Sequence, residues 1–120
     1  MGEPRKLPAW KRGIDLAHTV CVTVEALGLA RTDAGQRLRR TVVSVPSLLG
    51  EAFLDAKGSG VAPALHEASL KLAEVAGLLS QDVVRKALPE ADRTGLLDEI
   101  EGLGREIERL LGSRDAGPPG

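Results

Sequence analysis

Two histidines, one cysteine, a set of acidic residues and a line of arginines and hydroxyls carry whatever chemistry this 120-residue chain has. His66-Glu67 opens like the zinc-protease pair on a helix, but the residue four after His66 is Leu70, so the second ligand is missing. Neither His18 nor His66 stands in a nucleophile motif: there is no Gly-x-Ser-x-Gly and no phosphate loop ending in Gly-Lys-Ser/Thr. Gly58-Ser59-Gly60 reads as a flexible connection. Gly102-Leu103-Gly104 falls inside a helical stripe with no strand before it, so it is not a dinucleotide fingerprint. A di-metal carboxylate bundle needs inward Glu and a Glu-x-x-His motif. Here Glu99, Glu101, Glu106 and Glu108 mostly face away from the apolar stripe, and no such motif occurs. The expectation is no catalytic residue, no metal ligand and no cofactor. Cys21 is the only cysteine and sits in an apolar stripe, which predicts a buried, reduced thiol.

The polar line is more informative. Arg37, Arg40, Ser44, Ser47 and Glu51 share one face of a helix, within about 80° of rotation. Two roles fit it. The arginines can engage phosphates, with the hydroxyls as further donors. Alternatively, Arg37 or Arg40 pairs with an acid on a neighbouring helix or subunit, and Ser44 bonds a backbone carbonyl near Pro46. Arg39, Lys11 and Arg12 extend the first role into a candidate nucleic-acid patch: residues 1–40 carry 8 Lys/Arg against 4 Asp/Glu, although net charge is −1.

Four periodic segments must position these residues. In the first, Trp10, Ile14, Ala17, Cys21 and Val24 recur every three or four residues, with Gly13, Leu16, Val20 and Leu27 widening the stripe. In the second, Leu38, Val42, Val45, Leu49 and Ala52 repeat the pattern, and Thr32 or Asp33 can cap its start. Pro46 lies inside it; since the stripe keeps its phase, one helix kinked at Pro46 is expected rather than two. Leu65, Ala68, Leu72, Val75, Ala76 and Leu79 make the third stripe; Leu96, Ile100, Leu103, Ile107 and Leu110 make the fourth. The predicted helices span about 8–28, 32–56, 61–80 and 89–111, with flexible ends at 1–7 and 112–120. Short connections between such helices predict an all-α fold, an antiparallel up-down-up-down four-helix bundle.

Composition agrees and excludes much else. Leu (19) and Ala (15) outnumber Val (10), which favours helix over sheet. Trp10 and Phe53 are the only aromatics, too few for base-stacking modules; both read as core plugs. No apolar run reaches ~18 residues and no signal-peptide core follows the N-terminal basic residues, so no membrane contact and a cytoplasmic location are expected. Val22, Val43, Leu54, Leu70 and Leu78 lie off the core stripes. They are either scattered surface hydrophobes or a second apolar face for self-association, with Val43, Leu54, Leu70 and Leu78 as candidate interface residues.

The stretch Gln36–Phe53 reads QRLRRTVVSVPSLLGEAF. It resembles the signature of the 23S ribosomal RNA intervening-sequence family: Leu-Arg-Arg-Ala, two apolar residues, then Ser-Ile-Pro-Ser-Asn-Ile-Ala-Glu-Gly. The match runs through Leu38, Arg39, Arg40, Val42, Ser44, Val45, Pro46, Ser47, Leu49 and Glu51, and the mid-helix proline makes it fairly specific. Leu7, Ala9-Trp10-Lys11, Leu16 and Ala17 are similar to the family's opening, and Leu65, Ala68, Leu72 and Glu74 to its third helix; the likeness covers about residues 7–111. Leu48 replaces the family's Asn, Gly50-Glu51-Ala52 its Ala-Glu-Gly, and Leu70-Lys71 a Gly-Ser pair. The resemblance implies a non-enzymatic four-helix bundle that assembles into a homo-oligomer, typically a pentameric ring, in the bacterial cytoplasm. Ser44, Pro46, Ser47 and Glu51 would be its structural motif residues. A similar fold serves the accessory variability protein of diversity-generating retroelements, which binds a reverse transcriptase and nucleic acid. RNA or DNA binding through the arginines is therefore one expectation, and a protein-interaction scaffold the other.

Overall fold

The computed structural model describes residues 8–54 and 61–115. Every regular element among them is helical: α1 (Pro8–Ala26), α2 (Asp33–Leu54), α3 (Val61–Leu79), α4 (Asp82–Ala87) and α5 (Glu90–Asp115). The expected flexible segment 1–7, the Gly58-Ser59-Gly60 connection and residues 116–120 lie outside the described residues.

The turn between α1 and α2 is set by local chemistry. Gly28 adopts φ +71°, which glycine tolerates without a Cβ clash. This lets the Leu29 N–H reach the Val24 carbonyl (2.9 Å) and the Gly28 N–H the Glu25 carbonyl (3.2 Å), closing the end of α1. Thr32 then starts α2: its Oγ1 accepts from the Gly35 N–H at 3.0 Å and donates to the Leu29 carbonyl at 2.7 Å. Of the two expected caps, Thr32 fills the role. Pro46 lies within α2, which runs on as one helix.

The α2 stripe is as the periodicity predicts, with Leu38, Val42, Val45, Leu49 and Ala52 all buried; on α3 Leu65, Ala68, Leu72, Val75 and Leu79 are buried and Ala76 half-buried, and on α5 Leu96, Ile100, Leu103 and Ile107 are buried while Leu110 is half-buried and Leu111 takes its place in the core. α1 packs against α2 and α5, and α3 against the same two helices. On α1 the buried face is rotated from the expected one. It is formed by Ala9, Gly13, Leu16, Ala17, Val20 and Val24, while Ile14 is 39% exposed and Trp10 and Cys21 are half-buried. Gly13, Leu16 and Val20, expected to widen the stripe, lie at its centre, because Gly13 lets α1 approach Pro46 and Leu49 of α2 closely. Phe53 is also half-buried, so both aromatics pack at the edge of the core rather than plugging it.

Three further expectations are corrected. Residues between Ser80 and Pro89, expected as a break, contain α4. Asp82 lies in its first turn and Arg85 and Lys86 in its last, as the helix dipole favours, and Val84 and Leu88 anchor it in the core. The end expected to fray from residue 112 is helical through Asp115, since no proline intervenes before Pro118. Leu78, expected as an interface residue, is 4% exposed. The end of α3 also packs against α4, so its buried arc is wide enough to take in both Leu78 and Leu79.

Candidate interaction surface

The outer face of α1 and α2 carries two grooves that meet at Val43. The first, of about 540 Å³, is lined by Cys21, Gln36, Arg39, Arg40 and Val43. The second, of about 500 Å³, is lined by Trp10, Ile14, Val43, Pro46, Ser47, Gly50, Glu51 and Leu54. One end of this face is basic and the other apolar, with Glu51 at the apolar end. Val43 is 48% and Leu54 69% exposed. Gly50 lets the Trp10 indole lie close to α2: a Cβ there would meet its Nε1 at 3.3 Å. Gly13 does the same for the backbones, since a Cβ on it would meet Leu49 Cδ1 at 3.1 Å and Pro46 Cα at 3.6 Å.

The five candidate nucleic-acid residues do not form one patch. Arg37, Arg39 and Arg40 are all exposed near the start of α2. Arg39 and Arg40 line the basic groove, and Arg39 Nη1 lies 3.9 Å from Glu25 Oε2. Lys11 is exposed and pairs along its own helix with Asp15 at 3.3 Å. It sits ten residues from Cys21, or about 15 Å along α1 from the basic groove. Arg12 is used structurally: its Nη1 donates to Glu106 Oε1 at 2.9 Å, joining α1 to α5. Gly102 leaves room for that guanidinium, since a Cβ there would come within 2.5 Å of Nη2.

The polar line on α2 divides in the same way. Ser44 Oγ donates to the Thr41 carbonyl at 2.6 Å, as the structural alternative predicts, and the buried Thr41 hydroxyl lies 3.3 Å from Glu74 Oε2 on α3. Ser47 and Glu51 are exposed and line the apolar groove beside Pro46. Among the described residues, the ion pairs include neither Arg37 nor Arg40. His18 and His66 are exposed on separate helices, α1 and α3.

Sequence reasoning missed the contribution of Ile14, Trp10 and Cys21, which it assigned to the core. It also missed a second repeat on α2. Gln36, Arg40, Val43, Ser47, Gly50 and Leu54 recur every three or four residues, out of phase with the core stripe. That repeat was available in the sequence and marks the outer face directly. Leu70, 64% exposed, lies apart from this face on α3.

No helix among the described residues is long and apolar enough to cross a membrane, and none of them form a group of three or more metal-binding side chains. Searched against protein-family models, curated proteins and solved structures, the chain matches none.

Proposed function

We propose that this protein is a non-enzymatic interaction module that self-associates and works through the outer face of α1 and α2. One observation carries the reading: an apolar groove bounded by Ile14, Val43 and Leu54 runs into a basic one bounded by Arg39 and Arg40. Contiguous apolar surface of this kind, edged by charge, is the ordinary form of a protein-binding site. The resemblance of Gln36–Phe53 to the ribosomal RNA intervening-sequence signature supports the same reading, and with it a homo-oligomer. The proposal takes α1, α2, α3 and α5 as an antiparallel up-down-up-down bundle with α2 bent at Pro46; the packing of each long helix on two others supports it. The test is sedimentation of Ile14→Glu combined with Leu54→Glu. Both side chains are exposed, so helicity by circular dichroism stays unchanged while self-association is lost; an unaltered sedimentation coefficient would overturn the proposal.

A second reading, nucleic-acid binding, rests on the three exposed arginines within two turns of α2. With no exposed aromatic cluster, such binding would go through phosphates and show little base preference. RNA affinity would then fall steeply between ~50 and ~200 mM salt. Affinity indifferent to salt, or no binding at low salt, contradicts it.

A further inference from the structure

The two grooves of the α1–α2 face share Val43 and lie end to end, so they make one trough graded along its length. Gln36, Arg39 and Arg40 line one end. From Val43 to Leu54, the apolar stretch, α2 rises ~16 Å. The α1 wall runs the other way, with Cys21 at the basic end, Ile14 between and Trp10 against Gly50. Arg39 has a 3.9 Å contact with Glu25, both side chains exposed, a weak tie that leaves its guanidinium able to take another anion. The exposed Glu51 puts a negative charge at the opposite end.

We infer that this trough binds a free long-chain fatty acid, its carboxylate on Arg39 and Arg40 and its chain along Val43, Ile14 and Trp10 toward Leu54. This rests on the reading of the α1–α2 face as the interaction surface and names a ligand for it; the acyl chain and a second copy compete for the same apolar residues. Length, charge and the trough's walls select this ligand. One acyl chain spans half of a bilayer's ~30 Å hydrocarbon core, or ~15 Å, which matches the apolar stretch. Arginine pairs with a carboxylate through two parallel hydrogen bonds, and Glu51 repels the same carboxylate from the far end, so the direction of the chain is fixed. A peptide helix ~10–12 Å across would fill over ~1,200 Å³ along this length, more than twice the apolar groove's volume of about 500 Å³. An extended peptide would bring backbone N–H and C=O groups between two helices whose own backbone groups are already bonded to one another. An acyl chain has no such groups to satisfy. An anionic bilayer surface would meet Glu51 as well as the arginines.

Trp10 is the only tryptophan and the chain has no tyrosine, so its fluorescence reports from the trough alone. The test titrates full-length protein with two stearates below their micelle concentration, one carrying a nitroxide quencher near its methyl end and the other near its carboxyl. The methyl-end label should quench Trp10 saturably and several-fold more strongly, and unlabelled palmitate should reverse both. No saturable quenching, equal quenching, or stronger quenching from the carboxyl-end label would overturn the proposal. Arg39→Gln combined with Arg40→Gln should weaken palmitate about tenfold and leave its methyl ester unchanged; an equal loss for the ester would overturn the placement of the carboxylate. Val43→Glu, its fold verified by circular dichroism, should abolish both. Quenching by nitroxide-labelled phosphatidylglycerol vesicles with no response to monomeric stearate would overturn the ligand in favour of a membrane surface. Light scattering in the same titration separates the two readings. Assembly that falls as the acid saturates supports both. A protein that assembles but binds no fatty acid overturns the ligand and leaves the α1–α2 reading standing; one that binds it with no change in mass keeps the ligand and overturns self-association through this face.

Discussion

Arg12 shows how one side chain can be claimed by packing rather than function. Its position among basic residues near the start of the chain made it a candidate for phosphate contact. The structure spends it on Glu106, whose side chain is only 17% exposed. A half-buried, hydrogen-bonded pair of this kind is worth more than a surface ion pair, about 1–2 kcal/mol. A double-mutant cycle of Arg12→Met and Glu106→Gln in urea unfolding should therefore give a coupling of about 1 kcal/mol, and additive effects would refute the pairing. Two glycines provide an opposite pair of expectations. A Cβ on Gly35 would lie 1.8 Å from the Leu29 carbonyl oxygen, which belongs to the backbone of the turn. Gly35→Ala should cost about 3 kcal/mol or more, because the α1–α2 turn must move. Gly95 lies within α5 with nothing near its missing Cβ. Gly95→Ala should raise stability by about 0.5–1 kcal/mol through helix propensity alone.

At the scale of the helix, the difference between Leu78 and Val22 separates core from surface. Both lie off the expected stripes. Leu78 is buried where α3 meets α4, and Val22 is 52% exposed. Leu78→Ala should lose about 2–5 kcal/mol in chemical denaturation, whereas Val22→Ala should stay within about 0.5 kcal/mol. Equal effects would show that the end of α3 is not covered as described. The same contrast explains what the sequence disclosed. On α2, which packs against both α1 and α3, the apolar spacing writes the buried face as a single stripe, and every residue of that stripe is buried. On α1 the most hydrophobic residues do not mark the centre of the buried arc. On α1 the small residues Ala9, Gly13 and Ala17 sit at the closest approach, while the larger Trp10 and Ile14 are pushed to the rim. α4 escaped notice because six residues are too few to show a period; only its charge order, acidic first and basic last, signalled a helix.

At the scale of the whole molecule, the helices and most of the core were legible from apolar spacing, and the outer face was legible in part. Val43, Leu54 and Leu70 were visible as misfits to the core pattern. What joined the first two into a groove, and left Leu70 apart on α3, is the neighbour of each helix, which no single-helix pattern contains. The candidate basic residues divided for the same reason: Arg39 and Arg40 reach the groove, and Lys11 and Arg12 lie toward the other end of α1. The proposed self-association is decided by the mass of the wild-type protein in solution. Light scattering across a dilution series, with the 260/280 nm absorbance ratio recorded alongside, should give a multiple of 12.6 kDa that falls toward the protomer on dilution, in material free of nucleic acid. A mass of one protomer at every concentration would contradict it.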